Sequence, residues 1–177
     1  IIQAARIKYS GEAPKLRDMI LASTDIMGGL ATKVAPVANF ALGLKPTKVV
    51  MDAVLKVDKH RTFPKYASRT FESWYKKNVK AFQDTFKRHV SFFHGCYVNY
   101  NYPQLGKDLI SVMNALGYGV HLLENEKCCG TALISNRMID QAKKNAVNNV
   151  ESIRKSVYER QMPVIGTSSS CNFTIRE

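Results

Sequence analysis

From His89 onward the apolar positions fall into short continuous runs separated by longer stretches of helical period. Val90-Ser91-Phe92-Phe93-His94 is a short run of β-formers, closed by Gly95-Cys96. Pro103 opens a segment with Leu105, Leu109, Val112 and Leu116 on one predicted helical face, and Gly117 is placed to stop it. Val120-His121-Leu122-Leu123 reads as a second strand, followed by a short acidic turn and then Cys128-Cys129-Gly130. One long helix is expected from about Ser135 to Gln161, striped by Ile139, Ala142, Ala146, Val150, Ile153 and Val157. Pro163-Val164-Ile165-Gly166-Thr167 makes a third strand, and Ser168-Ser169-Ser170-Cys171 is the turn after it. The order strand, helix, strand, helix, strand predicts an α/β fold. Its simplest form is a small three-layer parallel sheet, Rossmann-like β-α-β-α-β, with right-handed crossovers.

Upstream of His89 the pattern is helical. Leu16, Met19, Ile20 and Ser23 share one spacing, with Pro14 near the start. Val34, Val37, Ala38 and Ala41 share another within Leu30 to Leu44. Breaks are expected at Ser10-Gly11, at Gly28-Gly29 and at Pro36. These helices either pack on further protein or lie as an amphipathic segment on a membrane. Residues 45–88 read as a connector. Lys45-Pro46-Thr47 begins a short helix carrying Val49, Val50, Ala53, Val54 and Val57, and Thr62-Phe63-Pro64 interrupts it. Phe71, Trp74 and Tyr75 then lie on one helical face, with basic groups on the other. Three segments follow: a helical remnant at 1–44, a basic connector at 45–88 and a cysteine-bearing α/β domain at 89–177.

Charge refines this division. The chain of 177 residues carries a formal net charge of +12. Residues 45 to 90 hold 12 Lys or Arg against 4 acids, and the flanks are close to neutral. A concentrated basic segment calls for an acidic partner, either a protein or an anionic membrane surface. No nucleic-acid-binding motif is present, and nucleic acid is not expected. No uncharged run of transmembrane length occurs. A chain that starts on Ile1 and stops at Glu177 as a helix begins reads as a piece of a longer protein.

Four cysteines, Cys96, Cys128, Cys129 and Cys171, are too sparse for a disulfide-stapled scaffold and suit a reduced, cytoplasmic setting. Each cysteine position falls just after a predicted strand. In parallel sheets of this kind, ligands sit beyond the carboxyl ends of the strands, so the thiols are expected to converge there. Four thiolates suit zinc or an iron–sulfur cluster, and the residues alone leave both open. Paired C-x-x-C knuckles of the structural-zinc type are absent. Adjacent cysteines diverge, which fits a cluster of several metals better than one tetrahedral ion. His94 is the nearest other donor and is expected to be a packing group. Ser168 to Ser170 are expected to cap the helix that follows.

Gly95-Cys96, then Cys128-Cys129-Gly130 after 31 intervening residues, then Ser169-Ser170-Cys171, resembles the cysteine-rich CCG domain family. That family includes the cysteine-rich component of heterodisulfide reductase and the iron–sulfur subunits of glycolate and lactate oxidases. The text Phe93-His94-Gly95-Cys96-Tyr97-Val98-Asn99-Tyr100, with Phe71-Glu72-Ser73-Trp74 upstream, is similar to members of the anaerobic glycerol-3-phosphate dehydrogenase type. The resemblance implies an electron-transfer subunit with no catalytic residue of its own. It implies a flavin-containing dehydrogenase subunit as partner, and a quinone at the membrane as the destination of the electrons. It also implies that this chain holds the first of two CCG domains, peripheral on the inner face of the cell membrane. Carried over by position, Cys96, Cys128, Cys129 and Cys171 are its cluster ligands, for a cluster of the 4Fe-4S kind or, as the alternative, zinc. The family pattern often ends in C-x-x-C. Here Thr174 takes the last place, leaving four thiols where five are common.

Overall fold

A computed structural model of the chain describes residues 14–176. Its first segment is a string of short helices: α1 (Leu16–Ala22), α2 (Thr24–Lys33), α3 (Ala35–Gly43) and α4 (Lys45–Leu55). Pro36 and Pro46 occupy first-turn positions of α3 and α4, where the missing N–H costs nothing. The expected break at Gly28-Gly29 does not occur, because both lie inside α2. Gly28 is there for contact. A Cβ at that position would sit 2.4 Å from the Tyr100 ring. The expected break at Ser10-Gly11 lies outside the described residues.

An extended stretch then leads to α5 (Phe71–Asn78) and a single turn, α6 (Lys80–Gln83). Thr70 caps α5, its hydroxyl accepting from the Ser73 N–H. Three parallel strands follow: β1 (Arg88–Phe93), β2 (Tyr118–Leu122) and β3 (Val164–Gly166), in the spatial order β2-β1-β3. Val90 pairs with Val120 and Phe92 with Ile165, so β1 is central. Between β1 and β2 run α7 (Gly95–Tyr100) and α8 (Pro103–Ala115). Between β2 and β3 run α9 (Thr131–Ser135), α10 (Ile139–Arg154) and a π-helical turn (Lys155–Glu159), and α11 (Ser169–Arg176) follows β3. This is the expected three-layer parallel α/β arrangement with a helical segment in front.

The main core lies between the sheet, α5 and α8. It centres on Phe71, Tyr75, Val90, Phe92, Val98, Ile110 and Val120. Phe71 is fully buried, with its ring edge-on to Phe92 and to His94. The Tyr75 hydroxyl donates to the Val120 carbonyl at 2.7 Å. The aromatic face of α5 is thus built into the sheet's own core.

Two helical faces differ from expectation. In α8, Leu105 and Leu109 pack inward as expected, but with Ile110 and Met113, while Val112 and Leu116 are exposed. The buried face is rotated because Ile110 points into the Phe71 cluster. The long helix from Ser135 to Gln161 is in fact broken at Asn136-Arg137, where Arg137 has φ +65°. The break folds Leu133 and Met138 back on Ala142 and Ala22. Within α10, Val150 is exposed, whereas Asn145, Asn149 and Ser152 are buried. The reason lies in what this helix packs against, which is a polar loop rather than an apolar sheet face.

Candidate metal centre

The four cysteines converge at the carboxyl end of the sheet. Cys96 stands in the first turn of α7, and Cys171 early in α11. Cys128 and Cys129 lie in the loop between β2 and α9. Gly130 ends that loop with φ +94°, a conformation that glycine adopts without the penalty a side chain would bring. All four thiols are free, and Cys128 and Cys129 are buried.

They form a row. Cys96 and Cys128 perturb one another's titration, as do Cys128 and Cys129. The Sγ atoms of Cys129 and Cys171 are 3.2 Å apart. Among the described residues, no three His, Cys, Asp or Glu side chains close round a single point as one ion would need. The thiols act on one another electrostatically. The neighbouring Cys128 and Cys171 thiols lower the pKa of Cys129, with Thr131 helping. Cys128 and Cys171 are pushed up by the neighbouring Cys129, and burial adds to this. Cys96 is drawn down to about 7, chiefly by the neighbouring Cys128 and against its own burial. Thiols this close to one another are a site where a soft cation can take the place of their protons. The donor set therefore fits a thiolate-bound metal group, with Cys96, Cys128, Cys129 and Cys171 as the residues that would hold it.

The surrounding groups are polar and specific. The Thr24 hydroxyl, in the first turn of α2, donates to Cys128 Sγ at 3.4 Å. The Asp25 carboxylate accepts the Cys128 N–H at 2.8 Å. Thr131 Oγ1 lies 3.2 Å from Cys129 Sγ and 2.7 Å from Thr174 Oγ1. Thr174 therefore reaches the row through Thr131.

Glu126 staples two of the cysteine-bearing segments together. Its carboxylate accepts the backbone N–H groups of His94 at 3.1 Å and Gly95 at 2.7 Å, two residues and one residue before Cys96. Burial pushes its carboxyl up to about 8, against the pull of those two N–H groups. His94 is buried, and its pKa is lowered mainly by that burial. Its ring packs edge-on against Phe71 and Phe92, and Nδ1 lies 3.1 Å from the Gly95 carbonyl and 3.2 Å from Glu126 Oε1.

The polar face of α10 braces the other side of the loop. Asn149 donates to the Lys127 carbonyl at 3.0 Å and accepts the Lys127 N–H at 2.8 Å. Asn145 donates to the Cys128 carbonyl at 3.2 Å, and Ser152 donates to the Glu124 carbonyl. Further along, the Ser156 hydroxyl bonds Ser91 at 2.6 Å and the Met162 carbonyl at 3.1 Å. Sequence reasoning missed Thr24, Asp25, Glu126, Asn145, Asn149 and Ser152. The readable signal was the spacing 145, 149, 152, 156, a polar stripe of helical period. The serine turn behaves as expected, with Ser168 Oγ accepting the Cys171 N–H at 3.4 Å. A cavity of about 780 Å³ opens beside Cys96 and Cys128, with Lys76, Lys80, His94, Glu126 and Arg160 in its walls.

Comparison with known proteins points the same way. Residues 90–176 match the family described as "CCG: Cysteine-rich domain". Over its whole length the chain is 54% identical to the C component of the anaerobic glycerol-3-phosphate dehydrogenase of Escherichia coli (strain K12), and it spans 44% of that relative's length. It is 30% identical over 90 residues to an uncharacterized iron-sulfur protein of Methanococcus maripaludis, which is 51% of this chain and 18% of that protein. It is 28% identical over 88 residues to lactate utilization protein A 1 of Bacillus mycoides, covering 50% of this chain and 34% of that protein. No solved structure shows a significant match.

Proposed function

The chain belongs to the CCG cysteine-rich domain family through residues 90–176, and from that premise we propose that it is part of the electron-transfer iron–sulfur subunit of a glycerol-3-phosphate dehydrogenase. The observation that carries this reading is the convergence of four free thiols at one sheet edge, with the sulfurs of Cys129 and Cys171 3.2 Å apart. Cys96, Cys128, Cys129 and Cys171 would hold an iron–sulfur cluster of the 4Fe-4S kind. Such a cluster supplies storage of an electron at a potential set by its surroundings. The chain's own residues do the rest. Glu126, Asp25 and Asn149 fix the two loops, Thr24 and Thr131 touch the sulfurs, and Phe93 and Leu123 pack beside Cys128 and Cys129 in an apolar shell.

Electrons would arrive from a flavin-containing dehydrogenase subunit and leave toward a membrane quinone. The cavity beside Cys96 supports an approach by a reaction partner on that side. Among the described residues, no helix is long and apolar enough to cross a membrane. Attachment would instead be peripheral, on the inner face of the cell membrane. Val37 and Phe40 of α3, and Val49 and Val54 of α4, are all more than half exposed, beside Lys45 and Lys48, and this supports that reading. The three-segment division at 44 and 88 is part of the same proposal.

The test is iron and acid-labile sulfide analysis of protein purified without oxygen. Both are expected, and both should drop in Cys96→Ser and Cys171→Ser. Stoichiometric zinc without sulfide would overturn the cluster reading. Vesicles containing anionic lipid should retain the protein at low salt and release it as salt rises, since exposed charges are screened beyond about 10 Å at ~0.1 M. Retention that ignores salt counts against the peripheral attachment.

A further inference from the structure

The matched domain begins at residue 90, yet two side chains from far upstream reach its cysteines. Thr24 and Asp25 sit in the first turn of α2, 103 and more residues before Cys128. We infer that α2 sets the redox poise of the cysteine site, through the Thr24 hydroxyl on Cys128 Sγ and the Asp25 carboxylate on the Cys128 N–H. The inference rests on the iron–sulfur reading above and adds to it residues outside the CCG domain.

The geometry gives the two residues opposite effects. A hydroxyl that donates to a sulfur ligand withdraws electron density from it and makes the bound group easier to reduce. Thr24 is placed to do this at Cys128. A carboxylate close by adds negative charge and makes reduction harder. Asp25 does this while its oxygen pins the Cys128 backbone, so its charge and its hydrogen bond can be separated by substitution. The seat of α2 is fixed from below by Gly28, whose missing Cβ admits the Tyr100 ring, and Tyr100 lies on the same short helix as Cys96. Position of the cysteine loop and electrostatics at the sulfur are thus set by one helix.

The experiment is a redox titration of the intact protein, followed by electron paramagnetic resonance on the signal that Cys128→Ser abolishes. Thr24→Val is nearly isosteric and should shift the midpoint to a more negative value at unchanged iron content. Thr24→Ser should restore it. Asp25→Asn keeps an acceptor oxygen and should shift the midpoint to a more positive value. Unchanged midpoints in Thr24→Val and Asp25→Asn, with iron retained, overturn the inference and leave the cluster reading standing.

A wild-type protein without iron and sulfide sinks the cluster reading instead. The inference is then judged on amide exchange at Cys128. Its N–H should be protected, and Asp25→Ala should speed exchange by about tenfold, as loss of a charge-assisted hydrogen bond implies. Exchange at Cys128 that is already fast in the wild type, or unmoved in Asp25→Ala, also overturns it.

Discussion

Gly28 and Gly29 are neighbours in one helix, and the structure predicts opposite outcomes for them. An alanine at Gly29 meets nothing within 4 Å. It should stabilise the protein by up to about 1 kcal/mol through helix propensity alone. An alanine at Gly28 gains a similar propensity term. Its Cβ, however, would lie 2.4 Å from Cδ2, 2.5 Å from Cγ and 3.0 Å from Cβ of Tyr100. Those are the near atoms of the side chain, and rotation about the outer bonds cannot move them away. Either α2 or α7 has to shift, and overpacking of that kind costs about 1–3 kcal/mol. Propensity nearly cancels between the two variants, so the difference in stability between Gly29→Ala and Gly28→Ala isolates the packing term at about 1–3 kcal/mol. Thr24 lies one turn before Gly28, so the same shift should pull its hydroxyl from Cys128. Urea unfolding followed by circular dichroism measures the first effect, and anaerobic iron uptake measures the second. Equal unfolding midpoints for the two variants, or full iron uptake by a destabilised Gly28→Ala, would refute the reasoning.

Other substitutions probe the bracing of the loops. Glu126→Ala leaves the N–H groups of His94 and Gly95 without their acceptor, at a cost of about 2–4 kcal/mol; Glu126→Gln should recover part of this, and a loss below about 1 kcal/mol by urea unfolding would contradict the staple. Asn149→Ala removes both bonds to Lys127, an exposed residue where water can substitute. About 1–2 kcal/mol is expected, with slower iron uptake, and unchanged uptake rates would argue against a bracing role. Tyr75 has its pKa raised to about 12, by burial first and by Asp84 second. The folded state therefore keeps a proton that the unfolded chain releases above about pH 10. Stability from this source is complete below about pH 10 and falls as pH rises toward about 12, by up to about 1.4 kcal/mol per unit. Tyr75→Phe should flatten the stability curve over that range and lower stability at neutral pH, which a urea series at several alkaline pH values would read.

Much of the protein was legible one residue at a time. Strands β1, β2 and β3 are short runs of β-formers between turn residues, and local propensity with hydrophobic grouping is enough to find them. A strand–helix–strand order leaves few ways to pack, so the parallel sheet followed. The convergence of Cys96, Cys128, Cys129 and Cys171 came with it, because the ends of parallel strands share one edge. What the sequence could not decide was which face of a helix goes inward and which distant segment comes close. Ile110 rather than Val112 is buried, because the inward side of α8 depends on where Phe71 sits, and Phe71 comes from a helix in the upstream connector. Asn145, Asn149 and Ser152 are buried as polar residues only because the cysteine loop needs backbone partners there. Thr24, Asp25 and Gly28 gain their meaning from Cys128 and Tyr100, far along the chain. Periodicity is a local signal. The placing of one polar group against another across such a distance is decided by the packed whole, which is why the thiols could be read from the chain and the residues that hold them could not.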